Sequence, residues 1–335
     1  MIATLTARQK HEVELSVLPD CEACFNGLSR TEDLALSPNN QWLAVANFTL
    51  NCITFFQLSF TYDGSPRTPG LSIGNYWQLQ SPTLKYPHGL DFLDDQTLVV
   101  ANRQGSIDLF DLPAAPPFGQ MIKTTPRVSL TRAGFKQRVH SPGSVCAVEL
   151  RRGQCQIFAA NNYSHFISSH VISSFGQLRK TSNKTIISSG LGIPDGLAMS
   201  DDHRFLAVSN HTTHEVLIYK NQRAGEPFDE PCARLKNVIY PHGLKFVDGH
   251  SKMVVASAGS PFLHLYACDD LPWSGEYRPK NSFQVVDDET FRAGAVNDQE
   301  GGPKGIEITS NERLLLMTNE LLPLRVFDLQ AMLNS

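Results

Sequence analysis

The chain has 335 residues, 41% of them hydrophobic and 19% charged, with a formal net charge of −4; this is ample for a buried core and close to ordinary soluble composition. Mild acidity without a long Lys/Arg run gives no phosphate-tracking surface, so nucleic acid is not an expected partner. No uninterrupted apolar stretch approaches the roughly 18 residues of a membrane span, so a membrane is not expected either.

Residues 1–11 are polar and lack the apolar core of a signal peptide. The seven cysteines are an odd number, which together with that N-terminus predicts reduced thiols in a cytoplasm. Val13, Leu15 and Val17 alternate with Glu14 and Ser16, the pattern of a strand. Cys21-x-x-Cys24 follows in a loop-like segment with no second pair to complete a zinc site. It reads as incidental, with redox or metal roles as alternatives.

From there a repeat of roughly 50 residues runs to the end. Its anchor is clearest in Tyr86-Pro87-His88-Gly89-Leu90, Pro194-Asp195-Gly196-Leu197 and Tyr240-Pro241-His242-Gly243-Leu244. Aligned on the glycine position, the six copies stand at Asp33, Gly89, Ser144, Gly196, Gly243 and Gly305, the third (Ser141-Pro142-Gly143-Ser144-Val145) being degenerate. Each anchor leads into an alternating strand, a polar turn such as Ser37-Pro38-Asn39-Asn40, and a second strand such as Trp42–Asn47 or Thr97–Asn102. A third strand reads Ile107-Asp108-Leu109-Phe110 or Val216-Leu217-Ile218-Tyr219, and a fourth precedes the next anchor, as in Lys184-Thr185-Ile186-Ile187. Four strands per unit predict an all-β, six-bladed β-propeller of four-stranded antiparallel blades spanning residues 1–335 as one domain.

The last anchor leaves room for three strands. The segment around Val13, Leu15 and Val17 is therefore expected to close the last blade and remove its open edge. Seven blades is the alternative, if a weak copy hides between residues 266 and 303. Three long connections, 61–76, 113–140 and 267–303, are expected to be functional lids or mobile segments. Arg132, Lys136, Arg138 and His140 in the second either attract an anionic group or form a solvated basic loop.

In such a ring the x of each Pro-x-Gly anchor and the end of each second strand share one mouth. The x residues are Glu32, His88, Gly143, Asp195, His242 and Lys304. The strand ends are Asn47, Asn102, Asn161, Asn210, Ser257 and Asn319, followed by Arg103, Tyr163, His165, His211, His214 and Glu320. With six blades Glu32 faces Asp195 and His88 faces His242. Two carboxylates and two imidazoles suit a divalent metal such as zinc, manganese or iron. Without a metal the same groups suit general acid and base work. The third reading is structural, with histidines bonded to neighbouring blades, asparagines as turn formers and Lys304 cancelling Glu32.

Pro194-Asp195-Gly196-Leu197-Ala198-Met199-Ser200 and Leu34-Ala35-Leu36-Ser37-Pro38, with their following strands, resemble the six-bladed superfamily of senescence marker protein/gluconolactonase, paraoxonase, strictosidine synthase-like and NHL-repeat proteins. Leu43-Ala44-Val45-Ala46-Asn47 is also similar to seven-bladed lactonase and YVTN repeats. The gluconolactonase resemblance implies acidic metal ligands at Glu32 and Asp195. His88 departs from the oxygen ligand implied there, which favours a transition metal over calcium. The paired Pro-His-Gly anchors are similar to those of peptidylglycine amidating lyase, whose zinc is held by three inner-strand histidines; two occur at the anchors here.

The expectation is a lactone or ester hydrolase with Glu32, His88, Asp195 and His242 as metal ligands. His211, His214 and Lys304 form the catalytic set. Asn47, Asn102, Arg103, Asn161, Tyr163, His165, Asn210 and Asn319 bind substrate. A metal-dependent lyase or cyclase is the nearest alternative. A non-catalytic propeller that binds a ligand or protein partner at the same mouth is the third.

Overall fold

The structure is a computed structural model that describes residues 11–335 apart from 29, 62–69, 136, 175–177, 222–227 and 229. Lys136 and half of the first long connection thus lie outside the described residues, as do residues 1–10.

Six sheets stand around one axis, their innermost strands being Thr31–Leu36, Pro87–Asp94, Pro142–Arg151, Pro194–Met199, Pro241–Val247 and Pro303–Ile308. Each touches the next, and the sixth touches the first, so the ring closes. The second strands end on Asn47, Asn102, Asn161, Asn210, Ser257 and Asn319, as the repeat predicts. Each of those residues pairs with the first residue of its own anchor: Thr31, Pro87, Pro142, Pro194, Pro241 and Pro303. This settles the degenerate third copy, with Gly143 at the x position.

A register shift follows immediately in every blade, for example between Pro87 and Leu90. A bulge bends a strand and re-aims a side chain, so each x residue leaves the ladder and turns to the axis. The residue before five of the anchors has positive φ: Arg30 (47°), Tyr86 (56°), Ser141 (50°), Ile193 (54°) and Tyr240 (48°). Left-handed backbone is costly for such side chains, above all for branched Ile193. The same local strain recurs at five of the six points where the chain enters the axis.

The core lies between blades. One cluster joins Phe55 and Trp77 of blade one, stacked at 4.0 Å, to Leu98, Val100 and Phe110 of blade two. Another joins Leu43, Val45 and Phe56 of blade one to Leu314, Leu316 and Val326 of blade six.

Three expectations change. The N-terminal strand, Leu15–Val17, does not complete the last sheet; it lies parallel on the outer edge of blade one, against Gly70–Gln80. The last sheet has three strands. Only the preceding residues reach it, through a bridge of Glu12 with Phe327 and backbone bonds between Val13 and Val326 and between His11 and Asp328. Alternation identified a strand but not which of two nearby edges it takes. Cys21 and Cys24 sit on a helix, Pro19–Asn26, because Pro19 pre-sets the first turn and Cys21 and Phe25 pack into the blade-one core.

Among the described residues the long connections supply outer edge strands, and the third also brings Gln299 and Glu300 to the axial mouth. Met121–Lys123 pairs with blade one and Val128–Leu130 completes blade two. Gly275–Tyr277 extends blade four and Asn281–Gln284 completes blade five, which leaves no seventh blade among the described residues. Arg132 and Arg138 lie on a short exposed hairpin. No helix among the described residues is long and apolar enough to cross a membrane.

Candidate metal centre

The bulges bring Glu32, His88, Asp195, His242 and Lys304 into one buried group, each at most 7% exposed. One ligand atom from each of Glu32, His88 and His242 lies within 4.8 Å of the other two. The two imidazoles, from opposite blades, meet across the axis with ring centroids 5.5 Å apart and planes 21° from parallel. Asp195 stands beside these three, its Oδ2 lying 3.2 Å from His242 Nε2.

The tautomer of His88 follows from its neighbours. Nδ1 donates to the Gly143 carbonyl at 2.6 Å, and Nε2 accepts from Arg103 Nη2 at 3.0 Å. A backbone carbonyl behind the ring leaves Nε2 as the ligating nitrogen, the usual arrangement at metal-binding histidines. Burial, then the charge of Arg103, pushes His88 down to about 3, so it is neutral at physiological pH. Burial likewise lowers His242, against the pull of Asp195 and Glu32. Burial would raise both carboxyls, but the charges of Lys304 and Arg30 hold Glu32 well below the usual range. For Asp195 the polar ring of His242 beside it and the Arg103 charge do the same. The three grouped ligand residues therefore offer one ionised carboxylate and two neutral imidazoles, with the ionised Asp195 beside them.

That donor set fits a divalent transition metal such as zinc, manganese or iron. One carboxylate and two imidazoles with room for water is a known catalytic arrangement for zinc and for iron. The opposing feature is Lys304, whose ammonium lies 3.0 Å from Glu32 Oε2. Its second partner, Glu320, gives that charge another resting place. Burial alone would lower Lys304; Glu32 and Glu320 raise it.

A cavity of about 360 Å³ opens above the group, lined also by Arg30, Phe48, Tyr86, Gln104, Tyr163, His211 and Glu300. A second cavity of about 210 Å³ lies further along the axis and shares Asp195 and His242 with the first. Asp33, Asp91, Lys245 and Glu307 line it. Burial pushes Asp33 up to about 8 and Asp91 up to about 7.

Of the other expected site residues, His211, Arg103 and Tyr163 line the mouth cavity. His211 Nδ1 donates to the Pro241 carbonyl at 3.2 Å and lies 4.0 Å from Asp195 Oδ2. His165 and His214 are exposed and hold the turns ahead of the next blades, accepting from the Ile193 and Tyr240 amides at 2.9 and 3.0 Å. Asn47, Asn102, Asn161, Asn210 and Asn319 sit behind the wall, at most 1% exposed. Asn102, for instance, accepts from the Lys85 amide and donates to Ser106 and Asp108. Asn319 similarly ties Gly301 and Leu321. None of the five lines the mouth cavity.

Sequence reasoning missed several members. Asn162 donates to Asp195 Oδ1 at 2.5 Å. It fits because Gly143, at the x position of blade three, has no side chain: a Cβ there would stand 2.1 Å from Asn162 Oδ1. A bare x position was the available signal. Arg30 and Tyr86 immediately precede the inner strands and Glu300 precedes the last anchor by three residues, so the segment before each anchor also carried information. Arg30 Nε donates to Glu32 Oε1 at 2.6 Å, and Arg30 Nη2 to Glu300 Oε1 at 3.1 Å. The seven cysteines are free thiols, and none joins a metal-ligand cluster among the described residues.

No family profile and no curated relative matches the chain. Solved structures do. A functionally unknown protein from Desulfotomaculum acetoxidans DSM 771 aligns over 90% of this chain and 83% of its own, with a TM-score of 0.57 and 13% identity. A luciferin-regenerating enzyme aligns over 91% and 94%, with a TM-score of 0.54 and 13% identity. The periplasmic gluconolactonase PpgL of Pseudomonas aeruginosa aligns over 89% and 81%, with a TM-score of 0.56 and 17% identity. At such identities the likeness is one of fold: the chain is a six-bladed β-propeller similar in architecture to gluconolactonase-like and related propeller enzymes.

Proposed function

We propose that the chain is a metal-dependent hydrolase acting on a lactone or related ester of a small molecule at the axial mouth. The observation that carries this reading is the convergence of Glu32, His88 and His242 at the floor of an open cavity. A gluconolactonase among the fold neighbours is consistent with it. A bound zinc, manganese or iron ion would polarise the carbonyl and lower the pKa of water.

The chain's own groups divide the remaining work. Asp195 and Asn162 hold His242 in place. His211, with Nδ1 tied to a carbonyl, has Nε2 to take a proton from the attacking water. The Lys304 ammonium lies beside Glu32, where it stabilises negative charge growing on the substrate oxygen. Water forms a bond to the acyl carbon, the ester C–O bond breaks, and the proton passes to the released hydroxyl. We place this activity in the cytoplasm, which suits seven free thiols.

The test is elemental analysis of protein purified without chelator, with pH-stat assays on a lactone panel, repeated for His88→Ala and His242→Ala. One transition metal per chain, lost from both variants together with hydrolysis, is the expected result. Metal without ester hydrolysis favours a lyase or cyclase. A folded protein with neither metal nor turnover favours a binding scaffold.

A further inference from the structure

The mouth cavity is lined by three cations, of which two are committed. Arg30 is bonded to Glu32 and Glu300, and Lys304 to Glu32 and Glu320. Arg103 differs. Its nearest carboxylate oxygen, Asp195 Oδ1, is 3.7 Å away, beyond hydrogen-bond reach. Nη2 is used on His88, and Nη1 is buried with no hydrogen-bond partner among the described residues. The guanidinium carbon lies 5.6 Å from the centre of the Tyr163 ring at the rim. An aromatic face at that distance holds the plane of a guanidinium without using its donors.

A second orphan has the opposite polarity: Glu300 Oε2 is buried without a partner, while its Oε1 bonds Arg30. An anion is repelled there and drawn to Arg103.

We propose that the substrate is itself an anion, carrying a carboxylate remote from the reacting ester, and that Arg103 is the residue that selects it. This names the substrate class of the site described above and rests on that reading. A carboxylate at Nη1 makes a charge-assisted bond. Engagement of His88 Nε2 elsewhere would free Nη2 as well, giving the two-pronged fork that guanidinium groups offer carboxylates. The cavity, about 360 Å³, is at the small end of ligand pockets, so the molecule is compact.

Calorimetric binding of two unreactive probes of one ring size tests this without turnover: tetrahydrofuran-2-carboxylate, and tetrahydrofurfuryl alcohol, which replaces the carboxylate by a hydroxymethyl group. The full chain is expected to bind the carboxylate at least tenfold more tightly. Arg103→Gln should erase that preference, and Arg103→Lys should restore part of it. Equal binding of the two probes, no binding of either at tens of millimolar, or an undiminished preference in folded Arg103→Gln overturns the proposal. Equal binding of the two probes by the wild-type chain overturns the proposal even if the variants fail to fold. A carboxylate preference without hydrolysis of any ester sinks only the hydrolase reading. Hydrolysis of neutral and anionic lactones alike, with no probe preference, sinks only this inference.

Discussion

Lys304 Nζ lies 3.0 Å from Glu32 Oε2, the same oxygen that lies 3.6 Å from His88 Nε2. A fixed positive charge thus borders the ligand group, and a bound metal ion would compete with the ammonium for one carboxylate. Replacing it by an isosteric apolar side chain should separate binding from chemistry. Lys304→Met is expected to bind zinc about tenfold more tightly in chelator competition, while hydrolysis falls by at least an order of magnitude. The metal-free variant should be less stable by roughly 3 kcal/mol, because Glu32 loses a buried partner. Weaker zinc binding would show that the ammonium supports the site instead of opposing it.

His88 and Asp33 give the metal-free protein opposite pH dependences. His88 is depressed from 6.5 to about 3, so below pH 6.5 the unfolded chain binds a proton that the folded one refuses. Stability is then lost as pH falls, by at most about 1.4 kcal/mol per pH unit. His88→Gln should flatten this slope between pH 6.5 and 4.5. Asp33 is raised from 3.8 to about 8, so the folded chain keeps a proton the unfolded one releases, and stability falls as pH rises across that window. The partial exposure of Asp33 at the wall of the second cavity moderates the effect. Asp33→Asn should therefore gain about 1–2 kcal/mol relative to wild type between pH 5 and pH 8. Urea midpoints at each pH measure both, and parallel curves for variant and wild type would refute the assignment.

Gly305 sits where blade six meets blade one. A Cβ there would lie 2.6 Å from Asp33 Oδ1 and 2.7 Å from Asp33 Cα. Backbone cannot yield as a flexible side chain does, so Gly305→Ala should cost about 3 kcal/mol in urea unfolding. Gly74, whose nearest contact would be 3.5 Å away, is the control, with a cost under about 1 kcal/mol. Equal effects would mean the close approach is not limiting.

Asn102 anchors the loop behind the wall through three side-chain bonds. Asn102→Ala should lower stability by about 2–3 kcal/mol and leave the zinc stoichiometry unchanged. Loss of metal with stability intact would place this asparagine at the ligand instead.

Why the x residues were legible and the asparagines' role was not comes down to what a repeat encodes. Pro-x-Gly fixes a bulge, a bulge fixes a direction, and six bulges in a ring must aim at one point, so Glu32, His88, Asp195, His242 and Lys304 could be placed together. The asparagines recur just as regularly, but periodicity cannot distinguish a side chain turned to the cavity from one folded back on its own loop. Asn162 and Arg30 stand at recurring positions, just after a second strand and just before an anchor, but they act through contacts between blades or across the closure of the ring, which no single repeat contains. The N-terminal strand failed for a similar reason: its alternation suits any apolar edge, and two edges were within reach.

Residues 11–13 lie on the last blade while Leu15–Val17 lie on the first. One short run of chain therefore straps together the two ends of the circle. Glu32 comes from one side of that joint and Lys304 from the other. During synthesis the circle stays open until the final blade emerges, even though all three ligands have been made by residue 242. Metal loading should then be a late, post-translational event. A chain ending at residue 300 is expected to retain no zinc on gel filtration; stoichiometric retention would show that an open arc of blades already forms the cage.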